Sequence, residues 1–122
     1  MSEQHLPMSD RALELIAHRF KLLAEPMRLR LLQLLMSGEK SVTELVSAAQ
    51  TTQANVSKHL GILADGGLVA RRKAGVSTYY RIADPSLMTL CDLVCTSLQA
   101  QGEQVLQVLR PENEESGDAE RA

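Results

Sequence analysis

The segment from Ser41 to Ile82 constrains the fold more than any other part of the chain, because its pattern predicts two short helices followed by a basic hairpin. Ser41-Val-Thr-Glu44 is a capping box. The serine side chain can accept from the backbone N–H three residues on, and the glutamate side chain can accept from the backbone N–H of the serine. Thr52 is the predicted N-cap of a second helix, which extends from about Gln53 to Asp65. Two short helices joined by a tight turn are the layout of a DNA-reading module.

The second helix has one apolar side and one small or polar side. Val56, Leu60 and Leu63 recur at helical spacing and are predicted to face the core. Small and polar side chains near the start of such a helix can meet base edges in the major groove. The predicted DNA contacts from this segment are Thr52, Gln53, Ala54, Asn55, Ser57, Lys58 and His59. The alternative is a solvated helix face, and for His59 a packing role.

A basic hairpin is predicted to follow this helix. Gly66 and Gly67 end the helix, and strands are predicted at Leu68–Lys73 and Ser77–Ile82 around Ala74-Gly75. From Thr51 to Arg81 there are five basic residues against one acidic residue, a local charge of +4. Arg71, Arg72 and Lys73 are therefore predicted to contact DNA phosphates, which position a protein without reading sequence. The alternative is a strand edge protected by solvated charges.

The net charge of the whole chain, -2, reflects its C-terminal end. Residues 111–122 form an acidic tail predicted to be disordered. Residues 1–9 form a predicted N-terminal arm, and residues 10–110 the DNA-binding and dimerisation domain. No apolar run approaches the roughly 20 residues of a membrane-spanning helix, and the first residues lack a secretory signal. We expect a cytoplasmic protein with no membrane partner.

Three motifs together give this sequence a family resemblance: Val56-Ser-Lys-His-Leu60, Gly67-Leu-Val69 and Tyr79-Tyr-Arg-Ile82. Over roughly residues 10 to 105 the chain resembles the ArsR/SmtB repressors. The resemblance implies a mainly α fold with a small β-hairpin wing, a winged helix-turn-helix with the hairpin between the fourth and fifth helices. It also implies a homodimer formed through the first and last helices. Such a protein is not an enzyme: it represses by occupying a double-stranded DNA operator and leaves when an effector binds.

The last predicted helix begins at Asp84-Pro85, extends to about Leu109 and carries the only cysteines, Cys91 and Cys95. Residues four apart on a helix have Cβ atoms about 5–6 Å apart. Sulfur ligands select soft ions, so the pair is a candidate effector site for trivalent arsenic or antimony. No cofactor is otherwise required.

Other roles for the two cysteines remain open. Free cysteine behaves as a small hydrophobe, so both residues could simply fill the core. They could also respond to thiol oxidation or reactive sulfur in a repressor without a metal site. A thiol redox or protein-interaction module is a remote alternative. Two known ligand sets of the family are absent here, since Val46-Ser47-Ala48 follows Glu44-Leu45 and no histidine follows His59.

Overall fold

The computed structural model of the chain describes residues 7–102 and 107–109. The elements in this part of the chain are, in order, α1 (Asp10–Leu23), α2 (Pro26–Leu35), β1 (Lys40–Ser41), α3 (Val42–Ala49), α4 (Gln53–Asp65), β2 (Val69–Ala74), β3 (Ser77–Ile82) and α5 (Ser86–Gln99). The chain divides at the Asp84–Pro85 junction into two compact units, the first with α1 to β3 and the second with α5. The predicted mainly α fold with a hairpin wing is confirmed.

Side-chain caps fix the starts of the two helices of the reading module. The capping box is present: Ser41 Oγ accepts from the Glu44 N–H at 3.1 Å, and Glu44 Oε1 accepts from the Ser41 N–H at 2.8 Å. Thr52 Oγ1 accepts from the Asn55 N–H at 3.1 Å and caps α4. Each cap satisfies an N–H that has no partner within the helix. Gln50 ends α3 in the left-handed region at φ 56°, which allows the tight turn before α4.

The sheet has three antiparallel strands in the order β1-β3-β2. The hairpin of β2 and β3 was predicted, but β1 was not. In β1, Lys40 pairs with Tyr80 and Ser41 pairs with Tyr79. A two-residue strand shows no alternation that a sequence pattern could reveal. Its effect is to attach the hairpin directly to the start of α3.

The core of the first unit is mainly leucine. Val56, Leu60 and Leu63 are all fully buried, as predicted, and the outward face of α4 is fixed by that burial. Among the described residues, Leu31, Leu32, Leu35, Leu45 and Leu68 are the other large side chains that are fully buried.

The last helix is shorter than predicted. It ends at Gln99 rather than near Leu109, and Gly102 follows with φ 147°, a backbone conformation that side-chain-bearing residues rarely adopt. Residues 107–109 are helical, while Val105 and the predicted acidic tail lie outside the described residues. No helix in the described part of the chain is long and apolar enough to span a membrane.

Candidate nucleic-acid interface

The outward face of α4 and the wing form the two walls of an open cleft with a volume of about 720 Å³. The start of α3 also lines it. Hydroxyl, amide and cationic side chains predominate on the walls. The lining residues are Ser41, Val42, Thr43, Gln53, Ser57, Gly61, Arg71, Lys73, Val76, Ser77, Thr78 and Tyr80. Such a surface offers donors and positive charge to an anionic polymer.

Strand alternation separates the three consecutive cations of β2. Successive side chains on a strand point to opposite faces. Arg71 is paired with Tyr80 and Lys73 with Thr78, and all four of these residues line the cleft. Arg72 lies between the two cations and does not line it. The cleft therefore receives two of the three predicted phosphate contacts.

Arg72 instead forms a clamp with Glu39 on the other face of the wing. Its Nε donates to Glu39 Oε2 at 3.0 Å and its Nη2 donates to Glu39 Oε1 at 2.7 Å. The guanidinium also lies 4.8 Å from the centre of the Tyr79 ring. The hydrogen bond from Arg72 lowers the pKa of the Glu39 carboxyl, and the same bond raises the pKa of Arg72. This ion pair ties the wing to the segment before β1, and the phosphate contact of Arg72 stays a prediction.

The predicted contacts on α4 divide in a similar way. Gln53 and Ser57 line the cleft, and Thr52, Ala54 and Lys58 are exposed to solvent. Asn55 is half-buried, and its amide Nδ2 donates to Thr51 Oγ1 at 3.2 Å within the turn. Gln53, Ser57 and Lys58 are therefore the polar side chains of α4 best placed to meet a ligand.

The structure corrects the prediction for His59, which is only 6% exposed. Its Nδ1 lies 3.3 Å from Arg28 Nη1, and its Nε2 lies 4.0 Å from Glu25 Oε1. Burial lowers the pKa of its imidazole, with Glu25 opposing that shift. Because His59 is on the core side of α4, its ring faces Arg28 and Glu25, whereas Ser57 and Lys58 are exposed. The alternative packing role is the one that the structure supports.

Sequence reasoning missed several lining residues outside α4 and β2. Thr43 stands in the first turn of α3, Thr78 faces Lys73 across the hairpin, and Val76 lies fully exposed at the wing tip. The capping box located the start of α3, and the hairpin register would have placed Thr78. The proximity of α3 to the wing follows from β1, which had no sequence signal.

The two cysteines of α5 are both free and half-buried. Burial, with a smaller contribution from Asp92, raises the pKa of the Cys91 thiol and favours its neutral form. Among the described residues no group of three or more His, Cys, Asp or Glu side chains could hold a metal ion. In the single chain the pair therefore offers two soft donors, one of them poorly ionised.

Comparison with known proteins decides the family. A family model described as bacterial regulatory protein, arsR family, matches residues 25–71. A probable mercury resistance operon repressor from Streptomyces lividans is 36% identical over 101 residues, which cover 72% of this chain and 81% of that protein. The chain belongs to the ArsR family. Members of this family are DNA-binding transcriptional regulators and not enzymes.

Solved structures of similar chains agree with the ArsR assignment. The crystal structure of an HTH-type regulator from Mycobacterium tuberculosis matches with a TM-score of 0.66 and 37% identity, covering 74% of this chain and 91% of that one. The solution structure of a homodimeric winged helix-turn-helix DNA-binding domain from Mycobacterium bovis matches with a TM-score of 0.64 and 36% identity. This second match covers 74% of this chain and 86% of the Mycobacterium bovis domain. The described chain is therefore a winged helix-turn-helix of the ArsR type.

Proposed function

We propose that this ArsR-family protein is a homodimeric repressor that binds a double-stranded DNA operator through the cleft between α4 and the wing. The observation that carries the proposal is the convergence of Gln53 and Ser57 from α4 with Arg71 and Lys73 from β2 on one surface. In this arrangement α4 reads base edges in the major groove, and the cations of the wing hold the adjacent phosphates.

Dimerisation is supported by the apolar face that α1 presents. Leu13, Ile16 and Phe20 recur at helical spacing and are 51%, 37% and 52% exposed in the single chain. Exposed apolar groups arranged in this way mark protein interfaces. The similar domain from Mycobacterium bovis is a homodimer. A two-fold dimer would present two copies of α4 to half-sites about one turn of DNA apart, roughly 34 Å.

The proposal is tested by fluorescence anisotropy on the DNA upstream of the protein's own gene, against a scrambled duplex of the same composition. We expect Ser57→Ala combined with Gln53→Ala to reduce the preference for the upstream sequence, since base contacts carry about 1–3 kcal/mol of discrimination each. Gln33→Ala, which alters an exposed glutamine on α2, is the matched control. Equal affinity of the wild type for both duplexes would contradict sequence-specific repression.

We further propose that Cys91 and Cys95 form the effector site, which takes a thiophilic ion or compound. The two thiols stand one helical turn apart, and soft sulfur donors select soft acceptors. The relative from Streptomyces lividans is a probable repressor of mercury resistance, which supports the same class of effector. Two donors suit mercury(II) or an organic trivalent arsenical better than inorganic arsenite, which takes three thiols.

The effector proposal is tested by adding mercury(II) or phenylarsine oxide to the reduced protein–DNA complex. Release of DNA from the wild type, with retention by the Cys91→Ser/Cys95→Ser double variant, is the expected result. Retention by both proteins would contradict it. Release by a persulfide or a peroxide in place of these probes would favour the alternative of a thiol-oxidation sensor.

A further inference from the structure

Arg28 of α2 joins three parts of the first unit. Its Nε donates to the carbonyl of Leu22 at 2.7 Å, and its Nη2 donates to the carbonyl of Lys21 at 3.5 Å. Both carbonyls belong to the last turn of α1, where carbonyls lack partners within the helix; that of Lys21 also accepts from the Ala24 N–H at 3.2 Å. The remaining nitrogen, Nη1, lies 3.3 Å from Nδ1 of His59 on α4. One guanidinium therefore links the end of α1 to the middle of α4.

The chemistry of this link fixes the protonation state of His59. An arginine in a protein is always charged and has only donors. His59 Nδ1 must therefore accept, which requires a neutral ring with its proton on Nε2. That nitrogen faces Glu25 Oε1 at 4.0 Å. A protonated ring would place an N–H against the N–H groups of Arg28 and lose the bond.

A second contact joins the same two helices at the end of α4. Gly66 caps α4, and a Cβ at this position would collide with Leu22 Cδ1. The end of α1 is therefore packed against the end of α4 and hydrogen-bonded, through Arg28, to its middle. Two points of attachment on one helix fix its direction as well as its position. The direction of α4 determines where the side chains of Ser57 and Lys58, which precede His59, point.

We infer that neutral His59 is a positioning residue for DNA reading, which holds α4 in its binding orientation by accepting from Arg28, the residue that grips the end of α1. This inference rests on the proposed function and extends it. Because α1 also carries the exposed apolar face of Leu13, Ile16 and Phe20, the same link connects that face structurally with α4. Acid is the natural perturbation, since it removes the acceptor without any mutation.

The direction of the pH effect follows from the charges around His59. Among the described residues these are Glu25 and Arg28 at the start of α2 and Lys58 on α4. Burial, the largest influence, keeps the pKa of His59 below its ordinary value of about 6.5, so the neutral form predominates above that pH. As pH falls below 6.5 and then through the lowered pKa, the ring gains its proton and the link to Arg28 is lost.

The experiment measures DNA affinity from pH 5.0 to 8.0 for the wild type, His59→Asn and His59→Leu. Asparagine can place Oδ1 where Nδ1 lies and does not titrate in this range, whereas leucine has no acceptor. His18→Asn, at an exposed histidine of α1, is the matched control. Circular dichroism at each pH and sedimentation verify that folding and association are unchanged.

We expect the wild type and the His18→Asn variant to lose about tenfold in affinity relative to His59→Asn as pH falls, the effect of losing one hydrogen bond to a charged group. His59→Leu should bind weakly at every pH. The comparison is with His59→Asn because acid also adds positive charge elsewhere in the protein. Parallel pH profiles for the wild type and His59→Asn, or wild-type affinity in His59→Leu, would overturn the inference.

A second measurement distinguishes failure of this inference from failure of the proposed function. Long-range ¹H–¹⁵N NMR correlation identifies which ring nitrogen carries the proton, and it needs no DNA. The expected state at pH 7 is neutral, with the proton on Nε2. A charged ring, or a proton on Nδ1, would refute the link to Arg28 even if the protein bound DNA. Absence of DNA binding with the expected tautomer would instead contradict the proposed function and leave the link to Arg28 intact.

Discussion

Adjacent arginines on one strand give a direct test of which side of the wing meets DNA. Arg71 lines the cleft together with Lys73, while Arg72 is engaged with Glu39 on the opposite face. The test compares Arg71→Ala with Arg72→Ala and adds the Arg71→Ala/Lys73→Ala double variant, measuring affinity for operator DNA by anisotropy between 50 and 200 mM salt. Residue type and place in the chain are nearly matched, so the comparison isolates orientation.

The expected magnitude follows from counterion release. Each phosphate contact adds about 0.9 to the negative slope of log affinity against log salt. Removing two contacts lowers that slope by about 1.8 per subunit and about 3.6 for a dimer. Over a fourfold range of salt the wild type should therefore lose on the order of 10²-fold more affinity than the Arg71→Ala/Lys73→Ala variant.

Arg72→Ala should leave the salt slope close to that of the wild type. Its guanidinium is already paired with the Glu39 carboxylate, so it should displace few counterions from the DNA. It can still weaken binding at all salt concentrations, because the wing loses its attachment to Glu39. An equal fall in slope for Arg72→Ala and for Arg71→Ala alone would refute the assignment of faces.

Three further predictions concern stability and assembly. Gly61→Ala, whose new methyl group meets nothing within 4 Å, should raise the free energy of unfolding by about 0.5–1 kcal/mol. Gly66→Ala should gain less than Gly61→Ala, because its methyl group forces the end of the Leu22 side chain to move; urea unfolding measures both. Ser41→Ala should cost about 1 kcal/mol through loss of the capping box, with Ser47→Ala, at an exposed position inside α3, as the control that should show no loss. Phe20→Glu should shift the protein from dimer to monomer in sedimentation, and an unchanged dimer would exclude α1 from the interface.

Much of the fold followed from the sequence because its signals were local. Capping residues, helical spacing of apolar residues and the two glycines before the hairpin each act over a few positions. Val56, Leu60 and Leu63 are fully buried as their spacing predicts. The predicted end of the last helix was wrong by about ten residues. Apolar residues at helical spacing continue past Gly102, but the backbone at Gly102 adopts a conformation that ends a helix.

The candidate site was harder to predict because its details depend on tertiary neighbours. Arg71 and Arg72 are identical in composition and charge, and only the pairing of β2 with β3 and the position of Glu39 separate their roles. For His59 the sequence leaves a DNA contact and a packing role both open, and helical rotation turns its ring towards Arg28 and Glu25. Glu39 lies well before the hairpin in the chain, and no local pattern connects it with Arg72.

The pairing of β2 with β3 has a consequence for how wings of this type can change over time. A change of turn length that slips β2 by one residue against β3 would keep the same cations in the chain. It would nevertheless turn Arg72 into the cleft and Arg71 and Lys73 away from it, because a one-residue slip reverses every side chain of a strand. Insertions and deletions here are therefore far more damaging than exchanges of arginine for lysine. Among relatives, the length of this strand should be a better guide to operator affinity than its number of positive charges.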